Sequence, residues 1–200
     1  MTAATVLRGR AWKFGDNVDT DQVIPAKYAI YSLDEKKLGE HAMEGVPGND
    51  GGWSQKIAPG DIMVAGSNFG CGSSREIAPI AIRGAGVSCV IADSFARIFF
   101  RNSINLGYPI LQSPQAAEAI EEGDELEVDL EEGLIRNFSK GDVYQAEPFP
   151  QFMTDLMRMG GLVPWVRKRL AEQRSSRHQA PPPHPGSRPN LPGRVEGGGR

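Results

Sequence analysis

Residues 61–79 read "DIMVAGSNFGCGSSREIAP" and join a short apolar run to a glycine-rich loop and a helix-like segment. The run "IMVAGS" predicts a buried strand, and "SREIAPIAIRGAG" predicts a helix that begins near serine and ends at glycine. A strand, a glycine-rich loop and a helix in this order predict an anion site. The reason is that the helix start offers unpaired N–H groups and the positive end of the helix dipole.

The glycine-rich loop fits neither of the common nucleotide-binding patterns. A P-loop has a lysine directly after its last glycine, whereas Gly72 is followed by Ser73, Ser74 and Arg75. A dinucleotide fingerprint that starts at Gly70 needs a third glycine where Arg75 stands. Two hydroxyls and a guanidinium suit a carboxylate instead, because arginine binds it through two parallel hydrogen bonds. A serine alkoxide beside such donors can also act as a base.

A purely structural role for these side chains is the alternative. One of the two serines would then cap the helix, while Arg75 pairs with Glu76 or Asp93. The whole cluster, which includes Asn68 and several glycines, favours the anion site.

The two cysteines, Cys71 and Cys89, are too few for a disulfide framework. They are also too few for an iron–sulfur cluster or a structural zinc site. Cys89 stands in the apolar run "VSCVIA" and is expected to be buried. Cys71 would need a basic partner to act as a nucleophile, and His41 is the one candidate outside the C-terminal segment. A Cys–His pair therefore has weak support.

Length and composition describe an ordinary globular chain of 200 residues, 40% hydrophobic and 24% charged. A net charge of -3 gives no general attraction to nucleic acid or to anionic membranes. No apolar run approaches the roughly 18 residues of a membrane span, and the N-terminus has no apolar leader, so we expect a cytoplasmic protein. Residues 171–200 are rich in Pro, Gly and Arg, which predicts a disordered tail after a single domain over residues 1–170. A solvated tail is favoured, and contact of its arginines with an acidic partner is the alternative.

Strand-like and helix-like segments alternate through the middle of the chain. The strands are predicted over "TVLRGRAWKF", "IMVAGS", "VSCVIA" and "YPILQ", with a hairpin over "DELEVDLEEGLIRNFS". Helices are predicted over residues 33–43, after the glycine-rich loop, over "SFARIFFRNSINLG" and "PQAAEAIEEG", and over a closing segment from residue 148. This alternation predicts an α/β fold with a parallel core and antiparallel flanks.

Three blocks of sequence carry a family resemblance. "NVDTDQVIPAKY", "GSNFGCGSSRE" and "VIADSFARIFFRNSINLGYPIL" resemble, in this order, the small subunits of 3-isopropylmalate dehydratases, which are similar to the swivelling C-terminal domain of aconitase. The resemblance runs from about Leu7 to Leu170 and implies a β/β/α swivel domain. It also implies a heterodimer or heterotetramer with a large subunit that carries a four-iron four-sulfur cluster, so that this chain itself would bind no cofactor. Such a pair interconverts 2- and 3-isopropylmalate through a dehydrated intermediate in leucine biosynthesis.

The resemblance also implies roles for residues of the loop. Ser74 would be the general base and Arg75 would bind a substrate carboxylate with help from Ser73. We expect Asn68 of the same loop to contact substrate as well. Ile77 stands where many relatives have a histidine, so a group that tunes the site in those relatives is missing from this chain.

Substrate choice in this family is attributed to the loop after "DTDQVIPAKY", which here continues through Ile30. Homoaconitase-type relatives tend to have an arginine at that position. Burying an isopropyl group against Ile30 gains about 1–3 kcal/mol, whereas a third carboxylate would be costly to desolvate there. Lys27 is a nearby cation, so a tricarboxylate substrate is not excluded. The structural alternative to a role of Ile30 in substrate choice is that its side chain packs in the core. Homoaconitase-, citraconate- and dimethylmalate-type hydro-lyases are therefore alternative functions, and a stand-alone anion- or nucleotide-binding module is a further one.

Overall fold

One mixed sheet of seven strands organises the part of the protein that the structure describes, in the order β4-β3-β2-β1-β5-β6-β7. The computed structural model describes residues 6–31, 34–47, 49, 52–73, 76–147, 149 and 151–178. The parallel half consists of β1 Val6–Lys13, β2 Ile62–Ala65, β3 Cys89–Ala92 and β4 Ile110–Gln112. The antiparallel half continues from β1 through β5 Glu125–Asp129, β6 Leu134–Asn137 and β7 Asp142–Gln145. The α/β prediction, with parallel pairing in the middle and antiparallel flanks, is confirmed.

Helices lie between the strands and after them along the chain. The described ones are α1 Thr20–Val23, a 3-10 helix Ala26–Tyr31, α2 Glu35–Glu40, α3 Trp53–Lys56, α4 Ile77–Gly84, α5 Arg97–Asn105, α6 Pro114–Ala119, α7 Gln151–Arg158 and α8 Leu162–His178. In the part of the chain that the structure describes, no helix is both long and apolar enough to cross a membrane.

The alternation of side chains along β2 builds a core on each face of the sheet. Met63 and Ala65 pack into one apolar cluster, and Ile62 and Val64 pack into the other. All four side chains are fully buried, as expected for a central strand of a parallel sheet. β2 is therefore a rigid base for the loop that follows it.

The short helices α1 and α3 and the 3-10 helix were not predicted, and two other segments also differ from the prediction. The closing helical segment is two helices, α7 and α8, because Gly160 and Gly161 adopt positive φ angles of 77° and 108° and interrupt the helix. Strand β7 was not predicted, since its residues are mostly exposed on the edge of the sheet and lack an apolar face. Both of these segments lie away from the glycine-rich loop in sequence.

The described part of the chain divides into two compact units, one that ends at Val166 and one that begins at Arg167. Every strand belongs to the first unit, and the second begins within α8. Residues 171–178 were predicted to belong to a disordered tail, but they continue α8, whose helical backbone extends to His178. Residues 179–200 lie outside the described residues, so disorder of that part of the tail stays a prediction.

An ion-pair ladder crosses three neighbouring strands of the antiparallel half. Glu127 on β5 lies opposite Arg8 on β1 and opposite Arg136 on β6. Its carboxylate accepts hydrogen bonds from Arg8 Nε at 2.7 Å and from Arg136 at 2.8 Å. These hydrogen bonds hold the pKa of Glu127 below its ordinary value, and the bond from Arg8 has the largest effect. The ladder ties the first strand of the fold to the hairpin that follows the parallel half.

Candidate active site

Three loops meet where parallel strands end. Residues 14–20 follow β1, residues 66–73 follow β2, and residues 93–96 follow β3. In open α/β sheets, ligands bind in the crevice beyond the carboxyl ends of the strands. The glycine-rich loop is the middle one of the three and is paired with both neighbours.

The first neighbour of the glycine-rich loop is the segment after β1. The Asn17 amide donates to the Ser67 carbonyl at 2.8 Å, and the Thr20 amide donates to the Cys71 carbonyl at 2.8 Å. Thr20 is almost fully buried, and its hydroxyl accepts from the Ser73 amide at 3.1 Å and lies 3.3 Å from the Ser73 carbonyl oxygen. Thr20 therefore fixes the backbone directly before Ser74. Sequence patterns alone did not single out Thr20, although it lies in the "NVDTDQVIPAKY" block.

The second neighbour is the segment after β3. The Asn68 amide donates to the Ser94 hydroxyl at 2.9 Å. The Phe69 amide donates to the Ser94 carbonyl oxygen, also at 2.9 Å. The Ala96 amide returns a bond of 2.9 Å to the Phe69 carbonyl. The Phe69 side chain is fully buried, so packing in the core anchors the loop in addition to its hydrogen bonds with the two neighbouring loops.

Two asparagines at this junction have unusual backbone angles. Asn68 has a φ of 56° and Asn17 has a φ of 53°, and the side-chain amide of Asn68 donates to the Asn17 side chain at 3.0 Å. Left-handed residues other than glycine cluster at functional sites, where the surrounding structure holds the strain. Asn68, a predicted substrate contact, is exposed. Asn17 is a neighbour that sequence patterns did not reveal, because its role depends on a contact with a residue 51 positions away.

Ser74 and Arg75 lie outside the described residues, so their roles stay predictions. Their neighbours Ser73 and Glu76 are described, and both are exposed. Glu76 is the N-cap of α4, and among the described residues no side chain caps that helix with a hydrogen bond. Ser73 is therefore not the N-cap, and a capping role of Ser74 is not tested.

Two residues near the loop, one after β3 and one at the start of α4, have contacts that the structure describes, whereas the pairing of Arg75 with Glu76 or Asp93 stays a prediction. Asp93 accepts a hydrogen bond from the Ser67 hydroxyl at 2.5 Å. Ile77, which replaces the histidine of many relatives, is the first residue of α4 and packs against the core. The position that a histidine would occupy is therefore used for packing in this chain.

The cysteines do not suit an iron–sulfur cluster or a nucleophilic pair. Cys89 is fully buried in β3, and burial raises the pKa of its thiol to about 12. The Cys71 sulfur lies 3.6 Å from the Asn17 carbonyl oxygen, whereas His41 stacks on the ring of Tyr28. Among the described residues, no group of three or more Cys, His, Asp or Glu side chains could hold a metal ion.

The predicted specificity residues lie on the 3-10 helix. Ile30 is 80% exposed, so it does not pack in the core as the structural alternative required. The Lys27 ammonium lies 2.9 Å from the Glu44 carboxylate. Lys27 therefore has a partner within the protein, and Ile30 presents a free apolar surface.

Comparison with known proteins identifies the family of this chain. Residues 15–116 match the aconitase C-terminal domain. A 3-isopropylmalate dehydratase small subunit from Methanosarcina acetivorans is 53% identical over 167 residues, which cover 84% of this chain and 100% of that protein. The chain belongs to the 3-isopropylmalate dehydratase small-subunit family. The isopropylmalate/citramalate isomerase small subunit of Methanocaldococcus jannaschii is 49% identical over 168 residues, which cover 84% of this chain and 98% of that protein.

A solved member of the dehydratase family has the same fold. The crystal structure of a 3-isopropylmalate dehydratase from Methanocaldococcus jannaschii superposes with a TM-score of 0.78 at 41% identity, covering 86% of this chain and 99% of that one. The family resemblance drawn from the three sequence blocks and the aconitase-type fold are thereby confirmed.

Proposed function

We propose that this chain is the small subunit of a 3-isopropylmalate dehydratase and that it works with an iron–sulfur large subunit in leucine biosynthesis. The observation that carries the proposal is the glycine-rich loop, which is held between two strand-end loops in a chain about half identical to dehydratase small subunits over nearly their whole length. The enzyme interconverts 2- and 3-isopropylmalate by removing and re-adding water.

The loop residues supply the proton chemistry in this proposal. Ser74 removes the proton from a carbon next to a carboxylate, and hydroxide leaves the neighbouring carbon as a double bond forms. The proton and the hydroxide together make up the water molecule that is lost, and addition in the opposite sense gives the isomer. Arg75 binds a substrate carboxylate through two parallel hydrogen bonds, and Ser73 and Asn68 orient the same molecule. The exposed positions of Ser73 and Asn68 support contact with a ligand.

The four-iron cluster belongs to the large subunit in this proposal, where it would bind the departing hydroxyl group. The positions of Cys71 and Cys89 support this division, because one is in a loop and the other is buried in a strand.

Citramalate is a second candidate substrate, because a relative at 49% identity is named an isopropylmalate/citramalate isomerase small subunit. Citramalate carries a methyl group and isopropylmalate an isopropyl group, so an apolar residue at position 30 accommodates either. An Ile30→Arg substitution is expected to shift the preference of the enzyme toward substrates with a third carboxylate. Unchanged preference would remove the proposed role of this position.

Reconstitution tests the main proposal. The chain is purified alone and with a large subunit of a 3-isopropylmalate dehydratase, and isomerisation is followed by the ultraviolet absorbance of the unsaturated intermediate. We expect activity only from the pair, loss of activity in Ser74→Ala, and wild-type activity in Ser139→Ala in the turn between β6 and β7. Turnover by the isolated chain would contradict the proposal. Tight calorimetric binding of ATP or NAD would favour a nucleotide-binding module instead.

A further inference from the structure

Four side chains contact one another beside the 3-10 helix that carries Ile30. The hydroxyl of Tyr28 donates to Glu44 at 2.7 Å, and the Lys27 ammonium donates to the same carboxylate at 2.9 Å. His41 Nδ1 lies 3.1 Å from Glu44, and its ring stacks on Tyr28 with centroids 3.8 Å apart. Lys27, Tyr28, His41 and Glu44 form what we call the Glu44 cluster, in which a single carboxylate contacts all three partners.

The Glu44 carboxylate is held in its charged form within this cluster. The hydrogen bond from Lys27, followed by those from Tyr28 and His41, holds the pKa of Glu44 below its ordinary value. The same bond raises the pKa of Lys27. The Lys27 side chain is 64% exposed, so solvent screens its ion pair with Glu44. The bond from the Tyr28 hydroxyl to the charged carboxylate is the stronger contact, and Glu44 bonds two consecutive residues of the 3-10 helix.

The segment around Glu44 is fixed in turn to α1. The Met43 amide donates to the Val23 carbonyl at 2.7 Å, and the Gly45 amide donates to the Gln22 carbonyl at 3.0 Å. A Cβ atom on Gly45 would lie 2.5 Å from the backbone of α1, so the two segments are in direct contact.

Helix α1 links this contact to the glycine-rich loop. Its first residue, Thr20, is the buried side chain that bonds the backbone of Ser73. A continuous set of contacts therefore runs from the Glu44 cluster through α1 to Ser73, the residue before Ser74. The Glu44 cluster also includes two residues of the 3-10 helix that carries Ile30.

We propose that Glu44 is a positioning residue that holds the 3-10 helix so that Ile30 meets the substrate's alkyl side chain. The inference rests on the proposed function for its substrate, and it adds a determinant of selectivity that does not itself touch substrate. Without the Glu44 carboxylate, Lys27 and Tyr28 lose their common partner and the 3-10 helix is free to shift. A shift of about 1 Å at a substrate contact is enough to change catalytic efficiency by about 100-fold.

Glu44→Gln in the enzyme reconstituted with the large subunit tests this role, with Glu40→Gln as the matched control. Glu40 is an exposed glutamate at the end of the neighbouring α2. In Glu44→Gln we expect KM for 3-isopropylmalate to rise about tenfold, kcat to stay within about twofold, and the preference for isopropylmalate over citramalate to fall about tenfold. In Glu40→Gln all three should match the wild type. Unchanged preference in Glu44→Gln overturns the proposal.

Hydrogen exchange in the isolated chain gives a second readout that does not need activity. The Tyr28 amide is bonded to the Pro25 carbonyl at 3.0 Å, and its exchange reports opening of the 3-10 helix. We expect it to exchange about tenfold faster in Glu44→Gln and at the wild-type rate in Glu40→Gln. Unchanged exchange in Glu44→Gln overturns the anchor, whereas inactivity of the wild-type pair would overturn only the proposed function.

Tyr28→Phe covers the case in which Glu44→Gln does not fold. It removes one donor to Glu44 and retains the ring that stacks on His41. We expect it to change preference and exchange in the same direction by a smaller factor. Wild-type values for both in a folded Tyr28→Phe protein would count against the cluster.

Discussion

Thr20→Val is the sharpest test of how the glycine-rich loop is held. Valine has nearly the shape of threonine, so it fills the same buried space and removes only the hydroxyl. That hydroxyl accepts from the Ser73 amide at 3.1 Å and lies 3.3 Å from the Ser73 carbonyl oxygen. The substitution therefore releases the backbone directly before Ser74 without opening a large cavity.

The expected magnitude follows from the two hydrogen bonds that join the Thr20 hydroxyl to the Ser73 backbone. A typical intramolecular hydrogen bond contributes about 0.5–1.5 kcal/mol, so the loop loses about 1–3 kcal/mol of positioning energy. If that energy fixes the general base in the transition state, kcat falls about 5- to 150-fold. Global stability should fall less, because Ser73 is exposed and water can satisfy its backbone groups.

The assay is isomerisation by the reconstituted pair of subunits, with thermal unfolding measured on the same samples. Thr20→Ser is the control, since it retains the hydroxyl and should recover most of the activity. A Thr20→Val enzyme with wild-type kcat would refute the idea that this side chain positions the catalytic loop. An equal loss in Thr20→Ser and Thr20→Val would also refute it, because the methyl group rather than the hydroxyl would then be responsible.

Three further predictions concern stability and reactivity. Gly70→Ala should destabilise the fold by more than about 2 kcal/mol, since φ is 77° and the added Cβ would lie 2.3 Å from Phe99. Gly123→Ala, at a φ of 88° with open space around it, should cost only about 1–2 kcal/mol in urea unfolding. Cys89, whose pKa is raised to about 12, should resist iodoacetamide in the native protein while the cysteine of the glycine-rich loop reacts. Label on Cys89 before denaturation would contradict its burial. Because the pKa of Glu127 is lowered in the fold, its ion pairs stabilise at neutral pH and are lost as the pH falls below the ordinary value of 4.5. Glu127→Gln should therefore lower the Tm at neutral pH, and the difference from wild type should shrink in acid. A constant difference would argue against the ionised carboxylate as the cause.

The fold was predictable from sequence wherever periodicity and turn residues agreed. The run "IMVAGS" became β2 Ile62–Ala65, and the apolar stretch around Cys89 became β3. Strand β7 was not predictable in the same way, because an exposed edge strand is specified by its pairing with β6 rather than by its own apolar pattern. The prediction of one long closing helix was wrong for a local reason, because the paired glycines 160 and 161 end α7.

The candidate site was predictable only in part. The glycine-rich loop was found because its residues are adjacent in sequence, as any motif must be. Thr20 and Asn17 were not found, because each acts through a partner more than 50 positions away. Glu44 was missed for a similar reason, since its partners include Lys27 and Tyr28 on a different helix. Residues that position a site become visible only once the chain is folded.

The exposure of the candidate site is relevant to the proposed pairing with a large subunit. Removing a proton from a carbon next to a carboxylate requires a base that is shielded from water, because water weakens every electrostatic interaction at the site. In the described part of the loop, Ser73 and Asn68 are exposed, and Ile30 on the 3-10 helix is 80% exposed. A surface this open cannot exclude water from a substrate or bury its alkyl group. In the proposed pair of subunits, the large subunit would therefore have to cover this surface before Ile30 could select a substrate by its alkyl group.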